Sequence, residues 1–156
     1  MSDIASFTGK LAEATEQLTG EGAPFEIIER QNNGIPLRCY RNAPATLRDA
    51  LAQGRSFEDK VFITYADESI SFKQFFDQVD RLATYLVNSL AIARGDRVAI
   101  AMRNYPEWMA AYVAIVSVGA IVVPLNSWGR GDELEYTLTD AGARVAVCGQ
   151  QRLDSI

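Results

Sequence analysis

The stretch Trp108-Met109-Ala110-Ala111-Tyr112-Val113-Ala114-Ile115-Val116-Ser117-Val118-Gly119-Ala120-Ile121-Val122-Val123-Pro124-Leu125-Asn126-Ser127-Trp128-Gly129 contains no charged residue. It exceeds the length of roughly 18 residues at which a membrane-spanning helix becomes a candidate. Its texture argues against one continuous rod. Trp108 to Val118 reads as helix, but at Gly119 the pattern changes to Ile121, Val122 and Val123, a β-branched run stopped by Pro124. Arg103 and Arg130 flank both ends, so no one-sided excess of basic residues sets a membrane orientation. The stretch is therefore read as a layer-filling helix, a turn and an interior strand, with no integral membrane span.

Outward from it the same alternation continues. Val98 to Met102 reads as a strand, Pro106 to Val118 as a helix, Ile121 to Val123 as a strand, Asp132 to Asp140 as a helix and Arg144 to Cys148 as a third strand. Apolar strands alternating with helices imply parallel pairing through crossovers. Upstream, Ser71 and Gln74 have capping-box spacing. Phe72, Phe75, Phe76, Val79, Leu82, Ala83, Leu86 and Leu90 behind them make a helical stripe. The opposite face carries Lys73, Asp77, Asp80 and Arg81, with Asp77 and Arg81 at i,i+4 spacing, and reads as a solvated face. Val61 to Tyr65 and Ile70 suggest one hairpin; Phe25 to Arg30 and Leu37 to Tyr40, around Asn32, Asn33 and Gly34, suggest another. Thr46 with Asp49 starts a short helix, and Ile4, Phe7, Leu11, Ala14 and Leu18 describe an amphipathic amino-terminal helix suited to packing.

The predicted fold class is α/β: a partial doubly wound parallel sheet with flanking helices, preceded by an amino-terminal helix and short β-hairpins. The predicted organisation is an amino-terminal helix and hairpin region over residues 1–59 and an α/β region over residues 60–156.

Composition narrows the chemistry. At 156 residues and 48% hydrophobic content the chain can bury a core, and a net charge of −5 offers no basic field for nucleic acid. There is no histidine and only two cysteines, Cys39 and Cys148, far apart in sequence, which removes His-based triads, zinc sites and disulfide frameworks. Neither cysteine has a histidine to generate a thiolate, so both read as buried structural cysteines. No metal site is predicted. Met1 to Lys10 lacks a sustained apolar run or a basic transit pattern, so the expected address is a reducing cytoplasm.

Open α/β sheets place ligands at the carboxyl ends of their strands. Three segments fall there. Met102-Arg103-Asn104-Tyr105-Pro106-Glu107-Trp108 pairs Asn104 with Glu107 at capping spacing and sets Pro106 in a first turn, which a plain helix start also explains. Leu125-Asn126-Ser127-Trp128-Gly129-Arg130-Gly131 is a polar loop whose glycines allow a ligand close to the backbone or simply make a turn. Gly149-Gln150-Gln151-Arg152 offers one guanidinium suited to phosphate. Neither G-x-G-x-x-G nor G-x-x-x-x-G-K-[ST] occurs, and no catalytic residue is identified.

Several quoted runs together resemble a known family: Gly95-Asp96-Arg97-Val98-Ala99-Ile100; Asn104-Tyr105-Pro106-Glu107-Trp108; Gly119-Ala120 through Val123-Pro124-Leu125-Asn126; Glu133-Leu134-Glu135-Tyr136; and Ala141-Gly142-Ala143. With Phe62-Ile63-Thr64-Tyr65 and Ile70-Ser71-Phe72 upstream, they resemble the amino-terminal portion of adenylate-forming acyl-CoA synthetases, most like bacterial fatty-acid–CoA ligases. Aryl-CoA ligases, luciferases and peptide-synthetase adenylation domains share that scaffold. The resemblance implies a ligase that joins a carboxylic acid, such as a fatty acid, to ATP as an acyl-adenylate and then to coenzyme A, with magnesium neutralising phosphate charge. The family's phosphate loop and catalytic lysine have no counterpart within the 156 residues, so this piece is expected to be inactive alone, a truncated domain of a larger ligase. Carried over residue by residue, the resemblance sets Asn126, Ser127 and Trp128 near the coenzyme A entrance and Arg152 near its phosphate. A sheet cut from a larger one would expose an edge and apolar surface, and hence favour a homo-oligomer. A standalone non-catalytic binding module on the same scaffold is the competing expectation.

Overall fold

The computed structural model describes residues 2–155, with side-chain environments described for residues 6–153. By internal packing the chain forms two compact units, Met1–Ala45 and Thr46–Ile156.

In the first unit, helix α1 (Ser2–Thr19) precedes an antiparallel hairpin of β1 (Ile27–Asn32) and β2 (Ile35–Tyr40). The strands run closer to the turn than the sequence suggests. Asn33 and Gly34 both take positive φ, 51° and 81°, a pair that closes a two-residue hairpin and leaves Asn32 in the ladder opposite Ile35. The α1 stripe predicted to pack does not bury: Phe7, Leu11 and Leu18 are exposed, because a unit of one helix and one hairpin has no layer wide enough to cover them. The Ile4 side chain lies outside the described residues. What this unit does bury is a carboxylate. Glu26 accepts from Arg41 Nη2 at 2.7 Å and from the Gly22 amide at 3.3 Å, and the Arg41 hydrogen bond foremost holds its pKa below the ordinary value.

The second unit begins with α2 (Leu47–Ala52), capped by the Thr46 hydroxyl accepting from the Asp49 amide at 3.1 Å, and a 3-10 turn at Gln53–Phe57. Residues 46–59 therefore belong with the α/β part of the molecule; Leu51, in α2, packs on its core. A second hairpin, β3 (Val61–Tyr65) and β4 (Glu68–Ser71), leads into α3 (Phe72–Asn88). The Ser71/Gln74 capping box closes in both directions, at 3.2 and 2.8 Å. The charged face of α3 is solvated, but the partners differ from the expected Asp77–Arg81 pair. Lys73 meets Asp77, and Asp80 accepts a two-pronged bond from Arg55 at 2.6 and 2.9 Å. The planar fork of Arg55, arriving from the 3-10 turn, engages both oxygens of the Asp80 carboxylate.

The parallel sheet comprises β5 (Arg97–Ala101), β6 (Ile121–Pro124) and β7 (Ala143–Cys148), in the order β6-β5-β7. Helix α4 (Pro106–Ser117) joins the first pair and α5 (Gly131–Ala141) returns across the sheet to β7. The period-two alternation of β5 sorts the faces. Val98 and Ile100, continued by Met102, join Leu86 of α3 and Ile115 of α4 in the larger cluster, whereas Ala99 and Ala101 meet Leu125 and Leu134 of α5 on the other face. Helices thus cover both faces and the sheet is doubly wound. Each fully buried branched side chain contributes about 1.5–3 kcal/mol, and Leu86, Ile100, Ile115, Val79 and Val98 all lie on the α3–α4 face. The uncharged stretch is two elements, as its texture implies. Gly119, at φ 78°, makes the turn between them, where a Cβ would approach the Arg94 side chain. Among the described residues no helix is long and apolar enough to cross a membrane.

Candidate functional site

The three segments singled out in the sequence lie at one edge of the sheet, the carboxyl ends of β5, β6 and β7. Backbone bonds extend the ladder there: the Leu125 amide donates to Ile100 O at 2.9 Å and the Gly149 amide to Ala101 O at 3.2 Å. Because α4 leaves β5 on one face while the chain reaches β7 from the other, the crevice belongs between the ends of these two strands. A cleft of about 630 Å³ is found there, with Tyr65 and Glu68 of the hairpin on one side and Met102, Tyr105, Cys148 and Gly149 on the other. The Tyr65 and Tyr105 rings meet edge-on at 6.0 Å. A neighbouring cavity of about 430 Å³ continues past Tyr105 to Trp108, which stacks on Tyr112 at 5.5 Å.

The start of α4 departs from expectation. Its N-cap is Tyr105, without a side-chain cap, and Pro106 occupies the first turn, so Asn104 and Glu107 form no capping box. The chain folds sharply there instead, with the Tyr105 amide on Arg103 O at 2.7 Å. That kink turns Arg103 towards the β6–α5 loop, where its guanidinium lies 4.6 Å from the centre of the Trp128 ring.

The loop itself is a tight turn. The Gly129 amide donates to Asn126 O at 2.9 Å and the Trp128 amide to Asn126 Oδ1 at 3.1 Å. Gly129 is buried, and a Cβ would stand 3.1 Å from Asn126 O and 3.2 Å from Leu134 Cδ2. A larger residue would need Asn126 O and the Leu134 and Glu133 side chains to give by a few tenths of an ångström. Trp128 remains 70% exposed, so its ring is presented rather than packed away. Arg152, in the 3-10 segment Gln150–Ser155, donates to Gly129 O at 3.2 Å and to Ser127 O. Asn126, Ser127, Trp128 and Arg152 thus form one assembly. Sequence reasoning missed the participation of Arg103 and of the Tyr65 hairpin; the arginine was visible in the post-strand segment, but no local pattern says which loop it faces.

The family model for AMP-binding enzymes matches residues 51–156. The chain belongs to the AMP-binding enzyme family. Among relatives in this family, the long-chain-fatty-acid–CoA ligase of Escherichia coli is 32% identical over 121 residues, covering 77% of this chain and 22% of that protein. Long-chain-fatty-acid–CoA ligase FadD13 of Mycobacterium tuberculosis is 31% identical over 88 residues, 54% of this chain and 18% of that protein. The chain therefore spans about a fifth of the length of these ligases. Among solved structures, the anthranilate CoA ligase AuaEII in complex with anthranoyl-AMP superposes with a TM-score of 0.66 at 27% identity, over 70% of this chain and 21% of that one. The N-terminal subdomain of Klebsiella oxytoca NpsA in complex with anthranilyl-AMSN gives 0.63 at 27% identity, over 70% and 28%. These matches agree with the doubly wound sheet and its preceding hairpin.

Proposed function

We propose that this chain is scaffold from the amino-terminal part of a fatty-acid–CoA ligase. The single observation that carries the reading is the family match over residues 51–156, on a sheet whose cleft lies at the carboxyl ends of its strands. The parent enzyme converts ATP and a carboxylate to an acyl-adenylate and pyrophosphate, then passes the acyl group to the thiol of coenzyme A, in the cytoplasm. Positioning and charge neutralisation dominate such phosphoryl chemistry. Within these 156 residues the contribution is architectural: a rigid sheet edge, an aromatic-walled cleft, and a turn displaying Asn126, Ser127 and Trp128 beside Arg152 for coenzyme A. Magnesium would neutralise phosphate charge in the parent enzyme; among the described residues no group of three His, Cys, Asp or Glu is placed to hold a metal.

A second reading, an aryl-acid ligase, is favoured by a specific observation: the two structural neighbours described above are complexes with anthranoyl-AMP and anthranilyl-AMSN. Pyrophosphate release with ATP, magnesium and matched panels of fatty and aromatic acids tests both. The 156-residue chain should release none above background, whereas the same residues within a full-length ligase should turn over fatty acids in preference. Turnover by the short chain overturns the scaffold reading; preference for aromatic acids replaces the first substrate class by the second. The unpaired outer edges of β6 and β7 among the described residues also support self-association, which light scattering across a concentration series measures.

A further inference from the structure

Arg152 follows β7, yet its side-chain hydrogen bonds run to the turn that follows β6. These strands lie on opposite sides of β5. With about 4.8 Å between adjacent strands, the outer two are roughly 10 Å apart, so the arginine spans the carboxyl end of the central strand. Beneath it, Met102 and Arg103 leave β5 and share with Arg152 the wall of a cavity of about 130 Å³. Arg103 in turn lies over Trp128 of the same turn. The contacts close a ring: β7 end, Arg152, turn, Trp128, Arg103, β5 end.

We infer that Arg152 is a positioning residue, a clasp across the end of β5 that fixes the Asn126–Gly129 turn and thereby the aim of the exposed Trp128 ring. Its planar fork matches two carbonyl oxygens two residues apart, which the point charge of a lysine satisfies less well. Among the described residues, the other hydrogen bonds of residues 126–129 stay inside the turn, so Arg152 supplies the hydrogen bonds that tie it to the next part of the sheet. A ring that is 70% exposed gains little order from burial and depends on such tethers. The consequence is preorganisation: a planar ligand meeting Trp128 finds it already held, and less ordering is left to binding. The clasp rests on the proposed function only for the identity of that ligand.

The test uses the 156-residue chain in a Trp108→Phe background, so that Trp128 is the sole indole, and compares Arg152 with Arg152→Ala, Arg152→Gln and Arg152→Lys. Without ligand, Arg152→Ala should speed amide exchange across residues 126–130 by about fivefold or more and lower Trp128 anisotropy, while β5 amides and far-ultraviolet circular dichroism stay unchanged. Arg152→Lys should recover part of both signals. If Arg152→Ala does not fold, Arg152→Gln carries the comparison. Unchanged loop exchange and anisotropy in a folded variant overturn the clasp. Addition of coenzyme A separates the two readings. Loss of coenzyme A protection with an unaltered ligand-free turn makes Arg152 a ligand contact and overturns the clasp. A loosened ligand-free turn in a chain that shows no response to coenzyme A upholds the clasp and removes the ligand.

Discussion

The two compact units are stabilised by different means. Among the described residues every buried apolar side chain lies in Thr46–Ile156, whereas the one buried residue of Met1–Ala45 is Glu26. The larger unit has two helices against one face of a sheet and one against the other; the smaller has a helix, a hairpin and a carboxylate holding the base of that hairpin. Apolar burial needs layers, and 45 residues arranged this way do not make two. A hydrogen-bonded ion pair can define a local conformation where packing cannot.

The sharpest way to break the contrast is Ile115→Ala, which opens a cavity against α3 and the sheet. It should cost about 3 kcal/mol in chemical denaturation of the second unit, comparable to other large-to-small core changes. Next in size, Glu26→Gln should act locally: exchange at Gly22 and along β1–β2 should accelerate while the main unfolding transition keeps its midpoint. A shifted main transition would show that the two modes of stabilisation are not separate. Smaller again is the pH response. The Arg55 hydrogen bond holds the Asp80 pKa below its ordinary value, so the stability this carboxylate confers is fully present above the ordinary carboxylate range and lost as pH falls through the lower folded value. Asp80→Asn should remove about 0.5 kcal/mol at neutral pH, discounted because both partners are half-exposed, and flatten the acid limb of an unfolding-versus-pH curve. Least of all, Lys73→Ala should change stability by less than about 0.5 kcal/mol, since Lys73 and Asp77 are both well exposed.

Much of the second unit was legible because its signals are local and redundant. Ser71 and Gln74 mark the start of α3, the stripe from Phe72 to Leu90 marks its buried face, and Gly119 with Ile121–Val123 splits an uncharged stretch that length alone would assign to a membrane. The first unit was less legible. The spacing of Phe7, Leu11 and Leu18 predicts a buried stripe, but periodicity reports only that a face exists, not that anything covers it. Asn104 and Glu107 failed as a cap for a related reason: the sharp fold at Arg103–Tyr105 makes Tyr105 the N-cap.

For the candidate site, the residues near each strand end could be named from alternation alone, since strand periodicity and loop position are properties of neighbouring residues. Which of them touch could not. Arg152 and Ser127 are separated by 25 positions and by an intervening strand, and Arg103 reaches Trp128 over a similar interval. Such pairings depend on the order β6-β5-β7, a non-local choice made when α5 carries the chain to the far side of β5. Local sequence therefore determined the elements and their buried faces; tertiary structure decided the partners, because contact across a sheet is set by strand order rather than by distance along the chain.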